Sequence, residues 1–167
     1  MERIDKLIRH PLWRESLDAI EAAEADREFC RHGLTHLLDV ARLAYIEDLE
    51  RGLGVPKEVI YAAALLHDIG RGLQYAQGVP HHEGGVRLAE PILRDCGFSE
   101  GEQAEILNAI GGHRTAETAE DGGLPGFLYR ADKASRACWR CAAAGECNWT
   151  PEKKNNTLKG CDMISLK

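Results

Sequence analysis

Polar residues interrupt several apolar segments of this chain, and their types point to metal chemistry. His67 and Asp68 follow one another at the end of an apolar run in ALLHDIGRG. Burying such a pair costs free energy unless both groups have partners. His36, His113 and Asp132 lie among apolar residues in the same way, in THLLDVARLA, NAIGGHRT and FLYRADKAS. Because imidazole and carboxylate groups are ligands of transition metals, the pattern predicts a bound metal ion that offsets the cost of burial.

Basic side chains accompany these groups. Five of them lie within four residues of a predicted ligand: Arg71, Arg114, Arg130, Lys133 and Arg136. The whole chain carries a net charge of −6, so this local excess of cations predicts an anionic substrate bound through phosphate oxygens. Solvated surface positions explain some of these residues equally well. We expect Arg71, Arg114, Lys133 and Arg136 to contact substrate, and Arg71 and Lys133 to support catalysis.

The segments that carry these groups are predicted to be helices. Apolar residues recur at helical spacing over 12–25 and over 33–51, where GLG ends the second run. Pro56 occupies a plausible first helical position for KEVIYAAALLHDI. These segments place His36 inside one helix and the His67–Asp68 pair at the end of another.

The second half of the chain continues this pattern. The next predicted helix contains Pro91, which we expect to kink it. Ser99 and Glu102 have the spacing of a capping box ahead of AEILNAI, and a last helix is predicted over FLYRADKASRACWRCAAA. After Gly145 the sequence is polar and loop-like, and no segment alternates with the period of a strand. The fold class predicted is a single all-α domain with an irregular C-terminal tail.

Composition limits the function classes. A chain of 167 residues is typical of one domain, and its net charge of −6 argues against general nucleic-acid binding or membrane-surface binding. The first residues do not resemble a signal peptide, and no apolar run approaches the length needed to span a bilayer. The six cysteines are therefore expected to be intracellular thiols or metal ligands, and the predicted location is the cytoplasm.

The order His36, His67–Asp68 and Asp132 resembles the HD superfamily of metal-dependent phosphohydrolases, named after the HD dipeptide at the end of an apolar helix. Val40 and Ala41 match the small apolar pair that follows the family's first histidine. HHEGGVRLA and AIGGHRT are similar to segments of the bacterial HD hydrolases that split diadenosine tetraphosphate. HDIG also resembles the cyclic-di-GMP phosphodiesterases, but their GYP signature is absent. The resemblance covers about residues 27–137 of a single domain, 1–167, with a cysteine-containing tail over 138–167.

The resemblance implies an HD-domain helical bundle that holds two divalent transition metal ions, from among Fe, Mn, Co, Ni and Zn. It implies six metal ligands: His36, His67, Asp68, His81, His113 and Asp132. Asp68 would bridge the two ions. The expected activity is hydrolysis of a phosphoester or phosphoanhydride of a nucleotide-like substrate by metal-activated hydroxide. Two alternatives are a mixed-valence di-iron oxygenase on the same fold and a domain that senses a nucleotide without cleaving it.

Two histidine positions leave a choice open. His81 and His82 compete for one ligand role, and the family spacing favours His81 because Gly85 then lies four positions on and Leu88 seven positions on. His32 lies one helical turn before His36. A ligand pair is conceivable there, but we expect His32 to contact substrate or support the ligands.

The late cysteines form a separate pattern. Cys138 and Cys141 make a CxxC pair, followed by Cys147 and Cys161. Four thiolates suit tetrahedral zinc or an iron–sulfur cluster, which would fix a tail too polar to dock by apolar burial. Cysteines on a helical pattern also serve as small core residues, and we expect that of Cys30 and Cys96. The sequence leaves both interpretations of the tail open.

Overall fold

The described part of the chain, residues 1–156 of a computed structural model, consists of helices and turns with no strand. It contains eight α-helices and two short 3₁₀-helices, which confirms the predicted all-α fold. The α-helices are α1 Glu2–Leu7, α2 Pro11–Ala23, α3 Leu34–Arg51, α4 Lys57–Leu66, α5 Arg71–Gln77, α6 His81–Asp95, α7 Glu100–Gly112 and α8 Leu124–Ala134. The 3₁₀-helices span Ala116–Glu120 and Cys138–Arg140. No helix within residues 1–156 has the length and apolar character needed to cross a bilayer.

Helix α4 lies at the centre of the bundle. Its sequence KEVIYAAALL is apolar on almost every face, and seven of its residues are buried. A helix that is hydrophobic all round has to be covered on all sides. Helices α1, α3, α6, α7 and α8 pack against it. The end of α4 is therefore deep inside the bundle, and the next two residues are His67 and Asp68.

Shortly after Asp68, the backbone at Gly70 closely approaches helix α6. A Cβ atom added to Gly70 would lie 2.1 Å from the carbonyl oxygen of His81 and 2.3 Å from the backbone nitrogen of Gly85. Both are backbone atoms of α6 that side-chain rotation cannot move. Only glycine lets the turn after Asp68 contact α6 at this distance, and the contact carries His81 towards the end of α4.

Several predicted features are confirmed. The predicted helices over 12–25 and 33–51 correspond to α2 and α3, and Gly52 ends α3 with a φ of 65°. Ser99 and Glu102 form both hydrogen bonds of the capping box at the start of α7. Helix α6 continues through Pro91, and the kink expected there stays a prediction. Pro56 is the residue before α4 rather than its first residue. Helices α1 and α5 were not predicted from the sequence.

The prediction of one long last helix over FLYRADKASRACWRCAAA is wrong. Helix α8 ends at Ala134, and only a 3₁₀ turn at Cys138–Arg140 follows. The side chain of Asn155 donates hydrogen bonds to the carbonyl oxygens of Lys133 and Arg136, which therefore do not continue a helical ladder. These tertiary contacts prevail over the helical periodicity of the sequence.

Candidate metal centre

Asp68 lies at the centre of a group of histidines and presents a different carboxylate oxygen to each side. Its Oδ2 lies 3.6 Å from Nε2 of His36 and 3.3 Å from Nε2 of His67. Its Oδ1 lies 3.5 Å from Nε2 of His81 and 3.7 Å from Nε2 of His113. One carboxylate thus faces two pairs of imidazoles, which is the arrangement that a bridging ligand requires.

Asp132 completes the first of these two groups. Its Oδ1 lies 3.4 Å from Nε2 of His36 and 4.0 Å from Nε2 of His67. Ligand atoms of His36, His67 and Asp132 all lie within 4.8 Å of one another, and so do those of Asp68, His81 and His113. The described residues therefore include two adjacent three-residue groups that could each hold a metal ion.

All four histidines turn Nε2 towards the centre because Nδ1 makes a hydrogen bond elsewhere. The Nδ1 partners are Ser135 Oγ for His36 at 3.1 Å, the Ala64 carbonyl for His67 at 2.7 Å, Gln74 Oε1 for His81 at 2.7 Å and the Ile110 carbonyl for His113 at 2.6 Å. An acceptor at Nδ1 fixes the proton there and leaves a lone pair on Nε2. The Ser135 hydroxyl donates to the Asp132 carbonyl, so it too accepts from the imidazole.

Burial and charge set the protonation of the centre. Burial, together with nearby arginines, lowers the pKa of His36 to about 4 and that of His81 to about 3, so both imidazoles are neutral at pH 7. Burial disfavours charge on Asp68, but His67 and the other imidazoles outweigh it and hold the pKa of this carboxyl well below its usual range. For His67 the negative charge of Asp68 outweighs burial and raises the pKa.

The buried atoms at this centre suit a metal ion. Nε2 of His67 and both carboxylate oxygens of Asp68 are inaccessible to solvent and have no hydrogen-bond partner in residues 1–156. A buried ionised carboxylate without hydrogen bonds is strongly disfavoured unless cations neutralise it, and a metal ion would add to the single charge that Arg71 supplies 2.8 Å from Oδ1. Nitrogen and oxygen ligands in this ratio match iron, manganese, cobalt, nickel or zinc better than magnesium. The residues present therefore fit a divalent transition metal.

Three basic side chains contact the two aspartates. Arg71 Nε lies 2.8 Å from Asp68 Oδ1, although its N–H does not point at the oxygen. Lys133 donates to Asp132 Oδ2. Arg136 donates from Nη2 to His36 Nε2 at 3.0 Å and to Asp132 Oδ1 at 3.4 Å. A metal ion bound by these two residues would compete with the Arg136 guanidinium for the same lone pairs.

The centre opens into a cavity of about 480 Å³ with a strongly basic lining. Six basic and two acidic residues line it: Arg27, Arg71, Arg114, Lys133, Arg136, Lys154, Asp132 and Glu146. Two aromatic side chains, Phe29 and Trp149, are also part of its wall. A positive cavity in a chain of net charge −6 favours an anionic ligand.

The structure separates the predicted residues into two classes. The six predicted ligands lie together, and His81 rather than His82 faces Asp68. Arg71, Arg114, Lys133 and Arg136 line the cavity. Arg130, by contrast, binds the buried carboxylate of Glu47 and the carbonyl oxygens of Ala119 and Asp121, so it holds the fold together.

His32 lies beside the centre and lines the cavity, so both roles expected of it, contact with substrate and support of the ligands, stay predictions. Its ring is 5.6 Å from that of His36, and its Nδ1 is 2.6 Å from Oε1 of Glu24. Glu24 also accepts hydrogen bonds from the His32 backbone and from the hydroxyl of Tyr75, and these contacts outweigh burial and lower its pKa to about 2. Sequence reasoning missed Glu24 and Tyr75, because neither lies in a motif.

Cys138, Cys141 and Cys147 line the same cavity, and so does Cys30. The fourth cysteine of the predicted tail pattern, Cys161, lies outside the described residues. The expectation that Cys30 is a core residue is wrong, because it is half-buried on the cavity wall, whereas Cys96 is buried as predicted.

Several known proteins are similar to this chain in sequence or in fold. The chain is 41% identical over 155 residues to an uncharacterized protein of Clostridium beijerinckii, covering 93% of this chain and 97% of the relative. It is 30% identical over 111 residues, 66% of its length, to Ribonuclease Y 1 of Pediococcus pentosaceus, of which it spans 20%. The crystal structure of a predicted HD superfamily hydrolase from an uncultured Thermotogales bacterium matches with a TM-score of 0.60 and 28% identity, covering 89% of this chain and 82% of the other.

The family model of the HD domain matches residues 33–144, which include the six converging histidines and aspartates. This match covers well over half of the chain, and the helical bundle and the HD pair at the end of α4 agree with it. The chain belongs to the HD domain family.

Proposed function

We propose that this chain is a metal-dependent phosphohydrolase with a two-ion centre, acting on a phosphoester or phosphoanhydride bond. The observation that carries the proposal is the position of Asp68, whose two oxygens face two separate groups of imidazoles. The names of the relatives, a ribonuclease and a predicted HD superfamily hydrolase, favour bond cleavage over binding alone.

The proposed ligands are His36, His67 and Asp132 for one ion and His81 and His113 for the other, with Asp68 shared. Bound divalent ions would supply Lewis acidity, polarising the phosphoryl oxygens and lowering the pKa of water. The chain's part is to fix these ligands and to keep His36 and His81 deprotonated. The Nδ1 hydrogen bonds and the low pKa values of His36 and His81 do this at neutral pH.

Basic residues around the cavity are the reason for proposing a substrate that contains phosphate. Arg71 and Lys133 already contact the carboxylates of the centre, so each could also reach a phosphoryl oxygen bound next to them. Arg114 is exposed at the cavity wall beside His113. Guanidinium groups bind phosphate in a bidentate manner and stabilise charge that develops during its transfer.

Aromatic residues support a nucleotide-like substrate. Phe29 is 38% exposed, and Trp149 is half-buried on the same cavity wall. Exposed aromatic rings next to a basic surface are suited to stack a base while the cations hold its phosphates. A cavity of about 480 Å³ is within the usual range for small-molecule sites.

The deciding experiment is a hydrolysis screen of the full chain loaded separately with iron, manganese, cobalt, nickel and zinc. Substrates are nucleotides, dinucleoside polyphosphates and simple phosphomonoesters. We expect metal-dependent release of phosphate or nucleotide, with the same rate under anaerobic conditions. Turnover that requires oxygen would instead indicate an oxygenase, and nucleotide binding without product would indicate a sensor.

Arg114→Gln tests the assignment of the basic cavity wall. We expect KM for the best substrate to rise about tenfold. A hydrogen bond to a charged group contributes about 1.5–3 kcal/mol when it is well ordered, and an exposed side chain such as Arg114 should contribute at the lower end of that range. Bound metal should be unchanged. Arg140→Gln is the matched control, because Arg140 is exposed and is not part of the cavity lining. Equal effects of the two substitutions would contradict the assignment.

A further inference from the structure

Four cysteines from two distant parts of the chain line the same cavity. Cys30 lies in the loop between α2 and α3, whereas Cys138, Cys141 and Cys147 follow α8. A second, smaller cavity of about 240 Å³ is lined by Cys30, Cys138 and Cys141 together. The fold thus adds to the CxxC pair a partner that sequence spacing does not predict.

Three of these four thiols are more exposed than a cysteine of the apolar core. Cys96, which packs in the apolar core, is 2% exposed, and Cys138 is 8% exposed. Cys30, Cys141 and Cys147 are only half-buried. Burial raises the pKa of Cys30, and the three neighbouring thiols add to that effect while Arg136 opposes it. Several thiols gathered on a partly open wall differ from a packing residue such as Cys96, and a bound cation would favour their thiolate forms.

The segment that carries three of these thiols has almost no core of its own. Within residues 137–156, only Cys138 and Ala143 are buried. Asn155 Nδ2 attaches the segment to the end of α8 by donating to the carbonyl oxygens of Lys133 and Arg136. Two further hydrogen bonds, Trp139 N–H to the Asn155 carbonyl and Lys154 Nζ to the Ala144 carbonyl, lie within the segment itself. Segments with too little apolar burial are commonly stabilised by a metal or a disulfide.

The local backbone around the CxxC pair suits metal ligation. Cys138–Arg140 forms a 3₁₀ turn, and the Cys141 amide donates to the Cys138 carbonyl at 3.1 Å. The tight turn keeps two thiols three positions apart near each other, as CxxC turns of structural zinc sites do. Among the described residues, only the two His/Asp groups bring three ligand atoms within 4.8 Å, so the thiols have to move together to bind one ion.

We propose that Cys30, Cys138, Cys141 and Cys147 form a tetrathiolate zinc site that joins the segment after α8 to the loop between α2 and α3. Four thiolates and a tetrahedral ion match the chemistry of structural zinc. Arg136 reinforces the same junction by donating from Nη1 to the Arg31 carbonyl. This zinc is separate from the His/Asp centre and has a structural role, because its four ligands leave no open position.

The test measures zinc in the full chain purified under reducing conditions. Cys30→Ser and Cys147→Ser should each lose about one zinc per chain relative to the parent, whereas Cys161→Ser and Cys96→Ser should lose none. In the cobalt-substituted parent, thiolate-to-cobalt charge-transfer absorption reports sulfur ligation independently of the imidazoles. We expect this absorption to disappear in Cys30→Ser and to remain in Cys161→Ser.

A second experiment needs no variant, so it decides the question even if a substituted chain fails to fold. The unsubstituted parent is titrated with a mercurial reagent, and the zinc that is released is measured. Zinc should be released as these thiols react. Zinc loss in Cys161→Ser but not in Cys30→Ser would overturn the proposed ligand set. A visible absorption that dithionite bleaches would show an iron–sulfur cluster, and a disulfide among the four cysteines under reducing conditions would show a covalent link; either result would overturn the zinc site.

Discussion

Nε2 of His81 and Nε2 of His113 lie 3.3 Å apart, and each imidazole already uses Nδ1 in another hydrogen bond. Both Nε2 atoms therefore carry lone pairs that point at one another, which is repulsive unless a proton or a cation lies between them. Oδ1 of Asp68 faces the same space from 3.5 Å and 3.7 Å. Three electron-rich atoms converging in a buried position favour a metal ion there.

Replacing Asp68 by asparagine tests the proposed bridge. Asp68→Asn keeps the shape of the side chain but removes the negative charge shared by both imidazole groups. Because changes in groups that merely support ligands typically cost about 10–100-fold, loss of the bridge should reduce hydrolysis by more than 100-fold and lower metal content. Metal analysis, turnover and circular dichroism measure the three consequences, and helicity should persist.

Asp39→Asn is the matched control for this substitution. Asp39 lies on α3, and its carboxylate is 43% exposed beside Arg42. An exposed pair of this kind contributes little, so metal content and turnover should stay within twofold of the parent. If Asp68→Asn also stays within tenfold of the parent, Asp68 does not bridge two ions.

Adjacent histidines at the start of α6 allow a second paired comparison. His81→Ala should lower both bound metal and turnover, because His81 is 3% exposed and faces Asp68. His82→Ala should leave both nearly unchanged, since His82 is absent from the two ligand groups. Metal analysis of the two variants decides between them, and loss of metal in His82→Ala alone would shift the ligand by one residue.

The order of polar residues, together with its resemblance to the HD superfamily, predicted which groups converge. His36, His67, Asp68, His113 and Asp132 each lie within or at the end of an apolar helix, and helices that share a core bring such positions together. The choice of His81 over His82 depended on the spacing to Gly85, and that glycine lies against the carbonyl oxygens of Leu66 and His67.

Other residues of the site could not be predicted, because no sequence motif marks them. Glu24, Gln74 and Ser135 orient His32, His81 and His36 through contacts that the folded chain makes. Cys30 joins the late cysteines only because the fold returns its loop to the end of α8. Helical periodicity beyond Ala134 was misleading because Asn155 binds carbonyl oxygens that a longer helix would have used.

Part of the loss of folding stability in acid should arise at the junction of α1 and α7. Glu102 accepts a hydrogen bond from Arg3 at 2.7 Å, and this contact together with the capping box lowers its pKa to about 2. A carboxyl with a lowered pKa stabilises the fold above its unfolded pKa of 4.5 and loses that contribution as the pH falls towards 2. Glu102→Gln should therefore lower the free energy of unfolding by about 1 kcal/mol at pH 7.

The difference between Glu102→Gln and the parent should shrink as the pH falls from 4.5 towards 2, because the parent is then protonated as well. Urea unfolding followed by circular dichroism at several pH values measures this convergence. Glu105→Gln, at an exposed acid on the same helix, provides the control and should match the parent at each pH. A difference for Glu102→Gln that is constant with pH would show that its charge is not responsible.

Gly70→Ala should damage the metal centre without touching any ligand. The new Cβ would lie 2.1 Å from the His81 carbonyl oxygen and 2.3 Å from the Gly85 nitrogen, so the start of α6 has to move away from the end of α4. Such overpacking costs about 1–3 kcal/mol, and it moves His81 away from Asp68. We expect lower stability in thermal unfolding and a 10–100-fold loss of metal affinity, in the range typical of changes to groups that hold a ligand in place.

Gly101→Ala separates this steric effect from the general effect of adding a methyl group. Gly101 lies in α7, and no atom lies within 4 Å of a Cβ added there. Alanine favours helix over glycine by up to about 1 kcal/mol, so this variant should be as stable as the parent or more stable and should bind metal normally. Normal metal affinity in Gly70→Ala would mean that the centre tolerates a shift of α6, and that the contact between Gly70 and α6 does not determine the position of His81.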